Sequence, residues 1–337
     1  MMEQNEKWMR RCLQLAACGE TGAPPNPMVG AVIVCDGRII GEGFHVCCGK
    51  AHAEVNALNS VRPADRGLLS RSTLYVSLEP CSHYGRTPPC AELIIRTGIP
   101  RVVVGCLDPF AKVSGRGVRM LREAGIEVTV GVLENECRAL NRRFFTFHLF
   151  RRPFVTLKWA ASADGFIDRW READGQEPPA RLSTSHSLMR VHRLRSLHGA
   201  ILVGHATLRL DRPSLTVRHW AGSSPLRIVL GRVAEGELPA GFEAFADIDT
   251  MLSSLHRRGV QSLLVEGGQQ TLQAFIDSGL WDEAWEELSA VRLGSGVPAP
   301  RMPVGVLKET ETFFEVSLTH WINETVSGEG DPVVEKP

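Results

Sequence analysis

Short apolar runs of strand length alternate with helix-length stretches along this chain, and the alternation runs twice. No other feature constrains the fold as much, because strands that alternate with helices imply a sheet covered on both faces. In the first half, 28–35 reads as a buried strand, the Asp36-Gly37 pair as a turn, and 38–41 as the returning strand of a hairpin. A helix is predicted from about His52, then a strand at 73–77, a helix at 89–97 with proline at its start, a strand at 101–105, a helix at 117–124 and a strand at 126–130. The stretch 134–150 reads as one long helix that must stop before Pro153, since proline cannot continue it. We place the domain boundary there, giving domains 1–150 and 151–330. The second half restarts with strands at 154–161, 200–203, 226–230 and 262–265, and helices at 184–197 and 269–278. The polar stretch 169–180 reads as an exposed loop, and the tail from about 326 as frayed.

Composition narrows the function classes. At 337 residues the chain is too long for one typical core and suits two domains. Lys plus Arg equals Asp plus Glu at 38 each, so no net charge draws the chain to nucleic acid or to a membrane surface. A local basic pocket for one phosphate remains open. No apolar run is long enough to span a bilayer. The N-terminus lacks the uninterrupted apolar region of a signal peptide; Trp8, Met9, Cys12, Leu13, Leu15 and Ala16 fit an amphipathic helix instead. Nine cysteines, an odd number, suit reduced thiols or metal ligands in the cytoplasm better than a disulfide framework.

Three residues carry the chemistry of the first half. His52-Ala53-Glu54 lies at a predicted helix start, and Pro80-Cys81 and Cys90 follow. One histidine and two thiolates make a three-ligand zinc site with an open fourth position, as a catalytic zinc requires. Glu54, two residues from the histidine, can face that position and pass a proton from water to a departing amine. An H-x-E followed by P-C-x-x-C is the pattern of zinc nucleobase deaminases, from which this chain departs in its cysteine spacing. Here eight residues separate the cysteines, so 82–89 must bulge out between the ligands. The remaining cysteines, including Cys47-Cys48, lack a partner pattern and read as core or neutral positions.

The string from Pro80 to Cys90 (PCSHYGRTPPC), together with His52-Ala53-Glu54-Val55 and Asn26-Pro27-Met28-Val29-Gly30, resembles the bifunctional riboflavin biosynthesis deaminase-reductase family, and the resemblance runs from about Trp8 to Val291. It implies an α/β protein: an N-terminal cytidine-deaminase-like three-layer domain and a C-terminal dihydrofolate-reductase-like domain. It also implies Zn2+ and NADPH as cofactors, a diaminopyrimidine ribosylamino phosphate as the small-molecule substrate, and a homo-oligomer. Matched residue by residue, Asn26, His83 and Arg86 would contact the deaminase substrate. Arg195 and Arg218 would bind substrate phosphate, with Leu215 and Glu266 on the substrate side. Ala161, Thr207, Asp211 and the Gly267-Gly268 turn would line NADPH, and Lys158 would face the ribosyl chain. Neither arginine has an acidic neighbour at helical spacing, which suits a phosphate.

Departures from the family occur at Phe110 in the first half and accumulate in the second. Phe110 stands where an asparagine is expected to hold substrate, Arg212 replaces an aspartate, Arg181-Leu182-Ser183 replaces Trp-Ile-Thr, and Ala163 replaces leucine. No G-x-G-x-x-G follows a first strand, so a Rossmann fingerprint is absent. Two enzymatic readings follow: both activities, or an active deaminase with a degenerate second domain. A deaminase of nucleic-acid bases is disfavoured by the balanced charge and by 7% aromatic residues. A purely structural zinc module would need a fourth ligand, and none is evident.

Overall fold

A computed structural model describes residues 2–84, 88–110, 114–172, 177–234, 236–304 and 306–323. The chain forms two compact units, Met1–Arg151 and Arg152–Pro337.

The first unit runs α1 (Met2–Ala17), β1 (Gly30–Cys35), β2 (Arg38–Phe44), α2 (Ala53–Asn59), a 3-10 turn (Pro63–Arg71), β3 (Thr73–Leu78), α3 (Cys90–Thr97), β4 (Arg101–Cys106), α4 (Arg116–Glu123), β5 (Glu127–Val130), α5 (Glu134–Leu140) and α6 (Arg142–Leu149). Its sheet has the order β2-β1-β3-β4-β5; β1 is antiparallel to both neighbours and the β3-β4-β5 ladder is parallel. Asp36 and Gly37 both take positive φ, 50° and 74°, as the tight hairpin between β1 and β2 requires. Strand residues divide by parity into two cores. Ile33, Leu74, Val102 and Val104 pack with Ala57, Ile94 and Leu121 of α2, α3 and α4. Val32, Tyr75 and Val103 pack with Trp8, Met9 and Cys12 of α1 and with Phe144 and Phe145 of α6. Three layers result. Gly41 and Gly43 let α2 lie flush on β2, since an added Cβ at either would come within 2.5 Å of Ala57 backbone atoms.

The expected single helix over 134–150 is broken at Asn141. The Asn141 side chain accepts from the Met28 N–H and donates to the Met28 carbonyl, both at 2.8 Å. Pairing with an edge backbone group is more valuable to a buried amide than continuing the helix.

The second unit contains β6 (Phe154–Ala161), β7 (Phe166–Asp168), α7 (Ser185–Ser196), β8 (Ala200–Gly204), α8 (His205–Asp211), β9 (Leu226–Leu230), β10 (Phe242–Phe245), α9 (Ile248–Arg257), β11 (Ser262–Val265), α10 (Gln269–Asp277), β12 (Glu283–Leu288), β13 (Val297–Pro298), β14 (Leu307–Phe313) and β15 (Val316–Ile322). Its main sheet has the order β10-β9-β8-β11-β6-β12-β15-β14, parallel from β10 to β12 and closed by an antiparallel hairpin. A capping box of Thr184 and Ser187 starts α7. Strand β12 carries the acids Glu283 and Glu287 into the interior, each nearly fully buried. Glu283 accepts from Thr156 at 2.9 Å and lies 3.0 Å from His320, while Glu287 accepts from Ser187 and Ser183.

The 169–180 stretch is not simply an exposed loop. The Arg171 side chain is 5% exposed and is clasped by Asp168 at 2.5 Å and by Asp211. Two carboxylates draw the cation inward, while Trp170 beside it stays exposed. Residues 173–176, and the tail from 326, lie outside the described residues.

Candidate active sites

In the first unit two helix starts converge at the C-terminal end of β3. His52 is the N-cap of α2 and Cys90 opens α3 after Pro89, while Cys81 follows β3 by three residues. The potential ligand atoms of His52, Cys81 and Cys90 all lie within 4.8 Å of one another. His52 Nδ1 is 3.5 Å from Cys81 Sγ and 3.4 Å from Cys90 Sγ, and the Cys90 N–H donates to Cys81 Sγ at 3.3 Å. The hydrogen bond from Cys90, helped by His52, pulls the Cys81 thiol down to about 4, while Cys81 pushes Cys90 up in turn. A soft thiolate pair with one imidazole fits zinc. Glu54 is buried in the first turn of α2, and burial pushes its carboxyl up to about 7, with the nearby Cys81 adding to the rise.

Neighbouring groups hold this arrangement. Asn26 Nδ2 lies 3.1 Å from His45 Nε2, and His45 Nδ1 lies 3.0 Å from the Ala51 carbonyl, which fixes the ring. The His45 and His52 rings meet edge to face at 5.4 Å. Glu79 is buried one residue before Pro80 and accepts four backbone N–H groups: Asp108 and Gly115 on one oxygen, Gly117 and Val118 on the other. That carboxylate ties the start of α4 to the ligand segment. His83 is exposed and meets the Phe110 ring at 6.4 Å; Phe110 in turn meets His148 at 5.1 Å.

The second unit holds a cavity of about 1330 Å³ at the C-terminal ends of β6, β8, β9 and β11. Ligands of open parallel sheets bind at such strand ends. Lys158, Thr207, Asp211, Glu266, Gly267 and Gly268 line it. Gly267 has φ +117°, which excludes most side chains, and a Cβ on Gly268 would come within 2.9 Å of Thr207 Oγ1. His205 Nε2 on the wall is buried without a hydrogen-bond partner among the described residues, with the Glu237 carboxylate 3.8 Å away. A bare glycine turn before α10, an unsatisfied donor or acceptor, and this volume fit a dinucleotide.

Comparison with known proteins settles the family. Residues 2–106 match the cytidine and deoxycytidylate deaminase zinc-binding region, and residues 153–320 match the RibD C-terminal domain. The riboflavin biosynthesis protein RibD of Aquifex aeolicus is 36% identical, over 91% of this chain and 93% of its own. The chain belongs to the RibD family. RibD of Escherichia coli is 35% identical over 87% of this chain and 89% of its own. The crystal structure of the Thermotoga maritima diaminohydroxyphosphoribosylaminopyrimidine deaminase/5-amino-6-(5-phosphoribosylamino)uracil reductase has a TM-score of 0.84 at 35% identity, covering 95% of this chain and 99% of that one. RibD proteins are bifunctional deaminase-reductases of riboflavin biosynthesis, with a zinc-binding deaminase domain and an NADPH-dependent reductase domain, and both domains are present here. The fold is the expected one, a cytidine-deaminase-like unit and a dihydrofolate-reductase-like unit. Among the described residues no helix is long and apolar enough to cross a membrane.

Set against the residues expected for a RibD site, His52, Cys81, Cys90 and Glu54 come together, with Asn26 tied to them through His45. Arg86 lies outside the described residues. In the second unit Thr207, Asp211, Glu266, Gly267, Gly268 and Lys158 share the cavity wall. Ala161 and Leu215 do not: their side chains are 1% and 2% exposed and belong to the core. Arg195, which has no acidic neighbour at helical spacing, has one from far along the chain. Its guanidinium binds Glu266 in two-point fashion at 2.8 and 2.6 Å, across 71 positions of sequence. Arg218 keeps its side chain on the hydroxyls of Ser214 and Thr216, and its N–H donates to His192 Nδ1 at 2.9 Å. Burial, with the charge of Arg195 behind it, lowers His192 to about 4, so it accepts as a neutral ring. His45 and Glu79 escaped the sequence reading. The one signal for each was position: a histidine at a strand end just before His52, and the acid preceding Pro80-Cys81.

Proposed function

We propose that this chain hydrolyses the ring amine of the diaminohydroxyphosphoribosylaminopyrimidine named in its Thermotoga relative, and then reduces the ribosyl chain of the aminouracil product to ribityl with NADPH. The carrying observation is the His52, Cys81 and Cys90 group with a buried acid, Glu54, on the first turn of the same helix as His52's cap. Zinc held by those three residues supplies Lewis acidity that makes water nucleophilic near neutral pH. Glu54 takes the proton of the attacking water and delivers it to the leaving amine; a carboxyl raised to about 7 suits both halves of that task. The Asn26 amide, oriented by His45, holds the pyrimidine edge, and the family resemblance assigns the phosphate to His83 and Arg86.

NADPH in the second unit supplies the hydride. The Gly267-Gly268 turn, Thr207 and Asp211 line its place, and Lys158 and Glu266 face the ribosyl chain. Arg195 positions Glu266, and Arg218 takes the substrate phosphate. The deaminase domain is assigned to 1–150 and the reductase domain to 151–330. Nine cysteines without a disulfide suit the cytoplasm, and the chain is proposed to act as a homo-oligomer, which light scattering measures directly.

The test follows ammonia release and absorbance at 340 nm together on the diaminopyrimidine substrate with NADPH. Ammonia with loss of the NADPH signal supports both activities. Ammonia alone would leave a deaminase with a non-reducing second domain, and no ammonia from zinc-loaded protein would overturn the deaminase assignment.

A further inference from the structure

We propose that Arg181 is a cofactor-binding residue of the reductase cavity, taking a phosphate group of the nicotinamide dinucleotide; the inference rests on the reductase reading above. Four cationic or titratable basic side chains line the cavity among the described residues: Lys158, Arg171, Arg181 and His205. Three have an acid already. Lys158 lies 3.9 Å from Glu287, Arg171 is held between Asp168 and Asp211, and His205 faces Glu237 at 3.8 Å. The Glu266 carboxylate on the wall is matched by Arg195. Arg181 alone among these has neither a carboxylate nor a hydrogen-bond partner among the described residues, and its side chain is exposed at the cavity.

The electrostatics of the cavity give that free guanidinium its role. Lys158 and Arg195 each face one carboxylate and Arg171 is shared by two, so Arg181 is the one lining arginine or lysine that a dinucleotide entering the cavity meets without a carboxylate among the described residues. The ligand carries a pyrophosphate and, in NADPH, a further phosphate of about −1.5 to −2 charge. Guanidinium to phosphate is a charge-assisted pair that can form two parallel hydrogen bonds. Breaking the Arg171 cluster to free a second cation would leave two carboxylates facing each other, which is unfavourable. The position where the family resemblance leads one to expect a tryptophan therefore carries a charge.

The experiment titrates zinc-loaded full-length protein with NADPH and, separately, NADH, by the enhancement of nicotinamide fluorescence, for the wild type, Arg181→Gln and Arg181→Lys. Arg181→Gln is expected to weaken NADPH binding roughly 10- to 100-fold, the loss of one charged hydrogen-bonding contact, with an unchanged melting temperature because the side chain is exposed. Arg181→Lys is expected to recover part of that loss. If NADH affinity is unaffected, the phosphate is the 2′-phosphate; if both cofactors weaken equally, it is the pyrophosphate. Wild-type affinity for NADPH in Arg181→Gln overturns the inference while leaving the reductase reading intact. Failure of the wild type itself to bind NADPH overturns both.

Discussion

At the scale of single residues, the first unit depends on a carboxyl held away from water. Glu54 is 3% exposed, and its raised pKa has burial as its main cause. Glu54→Gln removes the proton carrier but keeps the shape, so zinc content and melting temperature should stay near wild type while ammonia release falls about 10²- to 10⁴-fold. Full activity in that variant would sink the assigned role. In the second unit Asp164 sits at the opposite extreme. The Ser162 hydroxyl and then the N–H groups of Gly294 and Leu293 pull its carboxyl down to about 2, against an ordinary value of 3.8. The folded state therefore holds this proton less readily than the unfolded chain. The stabilisation is complete above about pH 4 and disappears as pH falls toward 2. Melting temperature should drop less steeply across that window in Asp164→Asn than in the wild type. That His52, Cys81 and Cys90 would come together, with Glu54 beside them, was legible from residue type and order, because metal chemistry restricts both. The Arg195–Glu266 pair was not, since nothing local ties residues 71 positions apart.

Elements place these side chains. Helix α4 reaches the ligand segment because Gly117 has no side chain: a Cβ there would lie 2.0 Å from the Pro80 carbonyl oxygen, with Glu79 bonded to the same turn. Gly117→Ala must push α4 away from Pro80-Cys81. We expect destabilisation of about 1–3 kcal/mol together with reduced zinc content, read by denaturant melts and metal analysis; normal zinc loading would show that α4 does not brace the site. Strands with alternating or wholly apolar residues were legible in sequence, as β1, β3 and β4 show. Strand β12 was not. Its run EAWEEL looks solvent-facing, yet Glu283 and Glu287 are buried by hydroxyl partners drawn from β6 and α7 and, for Glu283, by His320 of β15. Partners supplied by other elements reverse what composition says about burial. The kink at Asn141 was hidden for the same reason, its partner Met28 being 113 positions away.

At the scale of the whole molecule, each of the two units has its own packed cores and its own cofactor. Ligand binding should therefore act on each unit's own unfolding. A strong zinc chelator is expected to lower the transition of the first unit, whereas NADPH at 100 times its Kd should raise that of the second by about 2.7 kcal/mol. A chelator that shifted both transitions equally in calorimetry would contradict that independence. The short bond from the Cys90 amide to Cys81 sulfur reaches further than stability. Both ligands are anchored by what lies outside the interval between them, Cys81 by the end of β3 and Cys90 by the start of α3. The positions of the two sulfurs are set by β3 and α3. A substitution inside the interval, at His83 for example, should therefore leave zinc content at the wild-type level.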